Sequence, residues 1–448
     1  MVLAKRLCWT GYLAYHMRGQ ARYPFKPLAA IKRDQARRVR KMVAYAYRQV
    51  PYYRETMDRL GLRPSDFGSA EDLGKLPILE RRELQRDPEN FVSKAHPVER
   101  CLLVRSGGST GEPKTVYRDL PSLLQTRAHD ERMRPVIAKT MGRTVGYRKT
   151  DIGSPASSFS KGRQFCRARS LSPRRVSVQH QDLSLLDSPE ENVHLLNQFK
   201  PDVLQTYGSY LELLFPYLYA TGEPFHRPKV VIYTSDDLSG SVRRLIEEEF
   251  KIPVFSSYQA TEASRIGFEC EGHLGLHLNI DLYPVRIVDP EGRTLSVGES
   301  GDVIISNLVN RATVLLNYRL GDIAALLPDR CSCGRSLPLL SFPQGRIDNW
   351  IELASGQLFH TQAVRTIFSH DEADIWQYQV VQHTSKHLSV SVVAAETCDR
   401  QQTRERIAAE CARKFGEGVT VDISFVDSIE RTAGGKLCPV LSLHGRSP

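Results

Sequence analysis

Pro201-Asp202-Val203-Leu204-Gln205-Thr206-Tyr207 is a short, largely apolar run opened by a proline and closed by an aromatic residue. Its length and composition read as a buried strand, with helical patterns near 188–199 and 209–220 on either side. Lys229-Val230-Val231-Ile232-Tyr233 repeats the run, a helix follows from Ser239 to Phe250, and Val254-Phe255-Ser256-Ser257-Tyr258 repeats it again. Strand–helix–strand units with apolar strands predict a mostly parallel sheet with helices on its faces, an α/β fold. Ligands of such sheets sit beyond the carboxyl ends of the strands. Ser235-Asp236-Asp237 and Tyr258-Gln259-Ala260-Thr261-Glu262 fall at such ends.

Before this region, residues 30–60 read as helical, with Ala36, Val39, Val43 and Ala44 at helical spacing and Pro51 as the stop. Leu76-Pro77-Ile78-Leu79 leads into a helix beginning near Glu80, and 120–140 is helical again. Arg100–Arg105 reads as a strand and runs into Ser106-Gly107-Gly108-Ser109-Thr110-Gly111-Glu112-Pro113-Lys114. Three glycines permit a sharp turn, successive N–H groups converge on an anion, and Lys114 adds a mobile point charge suited to phosphate. The G-x-x-x-x-G-K-[ST] spacing is absent, so this is no P-loop; a surface hairpin turn is the plainer reading of the same residues. Residues 150–175, poor in aliphatics and rich in Ser, Gly and Arg, read as a long irregular segment, either beside a site or mobile.

After residue 280 the character changes to short β segments, Val285–Val288, Gly301–Ile305 and Thr313–Leu316, which predict a β-rich subdomain. Beyond about residue 350 a smaller α+β unit follows, with strands near 376–383, 388–395 and 419–426 and a helix near 401–415. Gly345-Arg346-Ile347-Asp348 reads as the linker.

A chain of 448 residues exceeds one small core. The formal net charge of +10 is diffuse, densest from Lys32-Arg33 to Arg40-Lys41 and from Arg163 to Arg175. No nucleic-acid motif accompanies it, so a solvated surface suited to anionic small molecules is expected rather than a nucleic-acid partner. No apolar run spans a bilayer, and Leu7–Tyr15 reads as a buried helix rather than a signal peptide. Nine irregularly spaced cysteines argue against a disulfide framework and fit a reducing cytoplasm.

Four further stretches fall into order behind the Gly/Ser loop: Tyr258–Glu262, Asn317-Tyr318-Arg319-Leu320-Gly321-Asp322, Gly345–Asp348, and Arg431-Thr432-Ala433-Gly434-Gly435-Lys436-Leu437. Together they resemble the ATP-dependent adenylate-forming (ANL) enzymes, most closely the phenylacetate-CoA ligase and CapK-like branch, whose N-terminal signature is similar to Val43–Arg54. The resemblance covers nearly the whole chain and is thinnest at 120–200. It implies a large N-terminal domain, residues 1–347, holding the ATP and acid sites, and a small mobile C-terminal domain, 348–448, carrying a catalytic lysine. It implies an AMP-forming acid–thiol ligase: a carboxylate attacks the α-phosphate of ATP, and a thiol, of coenzyme A or of a carrier-protein phosphopantetheine, then takes the acyl group. Transfer to an amine or hydroxyl, and a non-catalytic binding protein of the same fold, are the alternatives.

Carried onto this sequence, the resemblance assigns Ser106, Gly107, Gly108, Ser109, Thr110, Gly111 and Lys114 to the β- and γ-phosphates. It assigns Thr261 to the α-phosphate and Glu262 to Mg²⁺. Tyr258 would pack against adenine opposite Ser235 and Asp236, Asp322 would take the ribose hydroxyls, and Arg346 the ribose or phosphates. Lys436 would bridge carboxylate and α-phosphate, and Asp348 is the hinge. Arg319 has no assigned role. Gln259 departs from the family's Tyr-Gly-x-Thr-Glu pattern; a side chain there narrows the acyl pocket or meets the nucleotide, which puts phenylacetate itself in doubt.

Cys331-Ser332-Cys333-Gly334 is a Cys-x-Cys-Gly turn, and Cys270 and His277 stand upstream. Three thiolates and an imidazole make a closed structural zinc site; four unrelated buried residues is the other reading. His277 is preferred to His273 because Gly275-Leu276-His277-Leu278 alternates like a strand. Some CapK-like relatives carry similar Cys/His pairs, and the resemblance supports the site.

Overall fold

The computed structural model describes residues 2–105, 114–154, 157–171, 178–328, 330–343, 350–355, 358–360, 364, 367–368, 374–395, 397–416, 418–431 and 437–443. The N-terminal helices are α1 (Val2–Met17), α2 (Leu28–Gln49), α3 (Pro51–Arg59) and α4 (Arg81–Arg86). Pro51 starts α3 at its first position rather than leaving coil behind it, because a proline there sacrifices no helical bond. Glu80 and Glu83 form a reciprocal capping pair at α4. Leu13 of α1 is buried, but Leu3, Leu7 and Tyr15 are exposed, so this helix lies on the surface rather than inside.

A hairpin of β1 (Leu102–Arg105) and β2 (Thr115–Arg118) precedes α5 (Leu120–His129) and α6 (Arg134–Met141). The strands β3 (Arg148–Gly153), β4 (Gln179–Ser184), β5 (Val203–Tyr207), β6 (Val230–Thr234) and β7 (Val254–Gln259) pair in parallel. Their connecting helices are α7 (Ser158–Arg169), α8 (Pro189–Phe199), α9 (Gly208–Thr221) and α10 (Gly240–Arg244). β5 to β7 are buried almost throughout, as strands covered on both faces must be. Leu204, Val231, Tyr233 and Val254 face Val193, Leu196, Leu211, Leu214 and Phe215 of α8 and α9. Val203, Val230, Ile232 and Phe255 face the N-terminal layer. Each such side chain contributes about 1.5–3 kcal/mol.

Of the stretch 150–175, residues 150–153 end β3 and 158–169 form the twelve-residue helix α7, capped by the Ser157 side chain on the Ser160 N–H, so these parts are not irregular; 155–156 and 172–175 lie outside the described residues. The apolar stripe that would announce a helix is missing because an ion-pair cluster also anchors α7: Arg163 bonds Asp151 of β3 and Asp182 of β4. Buried Arg163 is therefore no part of a nucleic-acid face.

The β-rich segment continues the same sheet instead of forming a separate one. β8 (Arg265–Glu269), β9 (Leu276–Leu278), β10 (Val285–Val288), β11 (Ser300–Ile305), β12 (Tyr318–Leu327) and β13 (Leu339–Leu340) complete eleven strands in the order β10-β11-β12-β13-β9-β8-β7-β6-β5-β3-β4. β7 is the seam, parallel to β6 and antiparallel to β8, with a register shift between Tyr258 and Gln259. Thr313–Leu316 is not a strand: only Thr313 bridges, to Val92, and the Thr313 and Val314 N–H groups bond Tyr117 and Phe91 carbonyls.

The C-terminal part has its own sheets and core. β14 (Trp350–Glu352) pairs with β15 (Leu358–His360). β16 (Ile375–Thr384), β17 (His387–Ala394), β18 (Thr420–Phe425) and β19 (Val440–Ser442) form a sheet in the order β18-β17-β16-β19, covered by α11 (Arg400–Phe415). Several contacts dock it on the large sheet's helices. Trp376 packs beside the α8–α9 cluster, Gln377 Nε2 donates to the Glu212 carbonyl at 2.8 Å, and Ser241 Oγ donates to the Ile375 carbonyl at 3.2 Å. The expected boundary at 347/348, with the hinge Asp348, lies outside the described residues.

Candidate functional site

Two strand ends of the large sheet meet two residues from its far side. Tyr258, at the end of β7, donates its hydroxyl to Asp322 Oδ2 of β12 at 2.6 Å. Gly321, with φ of 87°, supplies the left-handed turn that sets Asp322 there. At the end of β6, Ser235 takes φ of 76°, a strained value for a residue with a side chain. Asp236 next to it accepts from the Ser209 N–H at 3.2 Å and from Ser209 Oγ at 2.5 Å. Gly208 makes this approach feasible: a Cβ there would sit 2.1 Å from the Asp237 carbonyl oxygen.

Past β7, Thr261 is partly exposed and Glu262 is buried. The Asn307 amide donates to the Glu262 carbonyl at 2.8 Å and fixes the turn. The Glu262 carboxylate accepts from the Lys114 ammonium and, at 3.2 Å, from the Tyr318 hydroxyl. Lys114 is thus a buried partner of Glu262 rather than a mobile surface charge. Glu262 offers the hard oxygen donor that Mg²⁺ takes, and the cation seated there is the lysine's. Arg319 is accounted for by ion pairs to Glu80 and Asp302.

The structure therefore brings Tyr258 to Asp322, Glu262 to Lys114, and Ser235 and Asp236 to the start of α9. Ser106, Gly107, Gly108, Ser109, Thr110, Gly111, Arg346, Asp348 and Lys436 lie outside the described residues. Sequence reasoning missed Ser209, and it quoted Tyr318 and Arg431 without a role. Arg431 Nη1 reaches Ser209 Oγ at 3.1 Å and thereby ties the C-terminal part to Asp236. The signal was an arginine in an otherwise small, glycine-rich turn.

Beneath Gln259 runs a buried polar layer. Gln259 Nε2 and Arg265 Nε both donate to Ser257 Oγ, at 2.9 and 3.0 Å. On the same sheet face, Lys149 donates to Gln205 at 2.9 Å and pairs with Asp151 at 3.1 Å. Burial opposes its charge and lowers the Lys149 pKa; burial likewise lowers His180, beside Asp151, to about 4.

A second cluster lies across β8, β9 and β13. Cys270 Sγ is 3.5 Å from Cys331 Sγ and 3.3 Å from His277 Nε2, which is 3.3 Å from Cys333 Sγ. All four ligand atoms lie within 4.8 Å of one another. Tetrahedral zinc with bonds of about 2.0–2.3 Å has ligand–ligand edges of roughly 3.3–3.8 Å. His277 Nδ1 lies 3.4 Å from the Leu337 carbonyl, leaving Nε2 toward the sulfurs. A Cβ on Gly272 would come 2.8 Å from Cys331 Sγ, so glycine keeps the cradle open. The donor set fits zinc. His273 lies apart, on Glu269 at 2.7 Å.

Among the described residues no helix is long and apolar enough to cross a membrane. The CapK C-terminal domain family matches residues 352–442. The phenylacetate-coenzyme A ligase of Thermus thermophilus is 24% identical over 454 residues, 93% of this chain and 98% of that protein. That of Escherichia coli is 25% identical, covering 92% and 94%. Protein CapK of Staphylococcus aureus is 21% identical, covering 90% and 87%. The crystal structure of 2-hydroxyisobutyryl-CoA ligase in the postadenylation state superposes with a TM-score of 0.74 at 18% identity, covering 94% of this chain and 91% of that one. In its thioesterification state the TM-score is 0.59. Along almost its whole length the chain is a homologue of the phenylacetate-coenzyme A ligases and of CapK, with the fold of the adenylate-forming CoA ligases.

Proposed function

We propose that the protein activates a carboxylic acid with ATP and passes the acyl group to the thiol of coenzyme A. The observation that carries this is the meeting of Tyr258 with Asp322, beside the Thr261–Glu262 turn, at strand ends of a chain whose homologues are acid–CoA ligases. In the first step a carboxylate oxygen bonds the α-phosphorus as its bond to the β-phosphate oxygen breaks, and pyrophosphate leaves. In the second the thiol sulfur bonds the acyl carbon, AMP leaves, and the thiol proton passes to solvent.

In this reading Tyr258 packs on adenine opposite Ser235 and Asp236, and Asp322 accepts from the ribose hydroxyls. Thr261 meets the α-phosphate. Glu262 would hold the Mg²⁺ that accompanies ATP, which would neutralise phosphate charge, and Lys114 would serve the phosphates. The 106–111 loop cradles the β- and γ-phosphates, Arg346 reaches ribose or phosphate, and Lys436 places its charge between carboxylate and α-phosphate. Asp348 is the hinge between the half-reactions. The Cys270, His277, Cys331 and Cys333 cluster holds a structural zinc ion.

The test is pyrophosphate release from ATP and Mg²⁺ across aryl, fatty, hydroxy and dicarboxylic acids, with and without coenzyme A. Acid-dependent release is expected. A coenzyme A thioester as final product supports this acceptor; an acyl-adenylate that persists with coenzyme A present points to a carrier-protein thiol. Absence of ATP binding would reject the assignment.

A further inference from the structure

Arg118 closes strand β2 and is 6% exposed. A buried guanidinium is ordinarily paired with a carboxylate, because an unpaired charge out of water is costly. Arg118 has no ion pair among the described residues, and its Nη2 donates to a neutral group, Ser264 Oγ, at 2.6 Å. Its Nε is buried without a partner. The two nearby carboxylates are engaged elsewhere. Asp119 accepts from the Ser122 and Arg311 N–H groups, and Asp130 lies 3.4 Å from Arg265. The hydroxyl of Tyr283, 1% exposed and close enough to Ser264 to be influenced by it, makes no hydrogen bond either. The Nε–H of Arg118 and the O–H of Tyr283 are thus two buried donors close to one another, with no carboxylate among the described residues bonded to either.

That place adjoins the reacting end of the site. Lys114, just before β2, and Arg118, at its end, are four residues apart, about 13 Å at 3.3 Å per residue of extended chain. Lys114 meets Glu262, and Arg118 meets Ser264 two residues on. Asp130 links the Arg118 surroundings to Arg265, which shares Ser257 Oγ with Gln259. The layer under the strand end that carries Gln259 is therefore polar and cationic rather than apolar.

We propose that Arg118, with Tyr283, is a subsite for a second carboxylate, and that the acid this enzyme activates is a dicarboxylic acid. This rests on the adenylation reading and names the substrate class for it. A bidentate carboxylate supplies the missing counter-charge, while the other carboxylate is presented at Thr261. A charge-assisted pair in this setting is worth about 10- to 100-fold in preference over a substrate lacking the group.

The experiment measures kcat/KM for pyrophosphate release with glutarate, adipate and isophthalate against pentanoate, hexanoate and benzoate. The wild type is expected to prefer at least one diacid by 10-fold or more, Arg118→Met to abolish or reverse that preference, and Arg118→Lys to leave an intermediate one. Release with monoacids alone, or a diacid preference untouched in Arg118→Met, overturns the subsite and leaves the adenylation reading standing. Release with no acid at all overturns both. Thermal unfolding without ligand gives a reading free of turnover: Arg118→Met is expected to keep or raise Tm, since it removes an unpaired charge. A fall of several degrees, with Arg118→Lys restoring it, would identify a structural pairing and overturn the proposal.

Discussion

Arg431 and Ser209 join the two parts of the molecule: the guanidinium donates to the serine's hydroxyl at 3.1 Å and also to its carbonyl, while that hydroxyl donates to Asp236 at 2.5 Å. Arg431 stands five residues before Lys436 in the sequence, so this contact fixes the chain just ahead of the stretch that carries the lysine. Arg431→Ala is expected to lower acid-dependent pyrophosphate release about 10-fold, the worth of a charged hydrogen bond. Thioester formation from supplied acyl-adenylate should change less than twofold. Equal losses in both half-reactions would show a folding defect instead. Lys436→Ala should abolish the first step far more completely, with ATP binding kept.

Asp322 accepts from the Tyr258 hydroxyl and is proposed to meet the ribose. Asp322→Ala is expected to weaken ATP binding about 10- to 100-fold, by loss of charge-assisted bonds to two hydroxyls. The KM for the acid should hardly move. Calorimetric titration with ATP checks the first, and unchanged affinity would reject the ribose assignment.

Elemental analysis of the purified protein should give about one zinc per chain, from the one four-ligand cluster among the described residues. Cys331→Ser should lose it and lower Tm by about 5 °C. Gly272→Ala should weaken retention through its clash with Cys331 Sγ alone. Zinc content unchanged in Cys331→Ser would remove that residue from the ligand set.

Glu212 on α9 gives a pH dependence. Enclosure, with Asp237 and Asp236 nearby, raises its carboxyl to about 8, although the Ser239 N–H donates to it at 2.7 Å. Its folded pKa lies above its unfolded value near 4.5, so the folded state binds the extra proton between those values. Stability from this group is full below about pH 4.5 and is lost as pH rises through about 8. Since the Glu212 carbonyl also receives Gln377 of the C-terminal part, docking should loosen along with it. Tm measured from pH 6 to 9 is expected to fall in the wild type and to fall less in Glu212→Gln. Parallel curves would exclude Glu212 as the group.

The parallel half of the sheet was legible because β5, β6 and β7 are buried on both faces and carry uninterrupted apolar runs. Tyr258 and Asp322, 64 positions apart, were paired only through the family likeness; nothing local in either stretch announces the contact. Helix α7 was illegible because its partners are Asp151 and Asp182, and charge pairing leaves no hydrophobic period. Lys114 looked like a solvent lysine because burial against Glu262 depends on a residue 148 positions away. Arg118 escaped notice for the converse reason: what marks it is the lack of a counter-charge among the described residues, which no sequence displays.

The hydrogen bond between Tyr258 and Asp322 also measures the shape of the sheet. Along the strand order, β13, β9 and β8 separate β12 from β7. Four spacings of about 4.8 Å would put those strands about 19 Å apart in a flat sheet. Their side chains instead touch, so the sheet curls until Tyr258 and Asp322 span the chord of an arc. The cysteines and His277 sit on the three strands of that arc or beside them. Zinc bound there would act as a keystone: withdrawing it should flatten the arc and lengthen the chord. ATP affinity would then report on a metal it never touches.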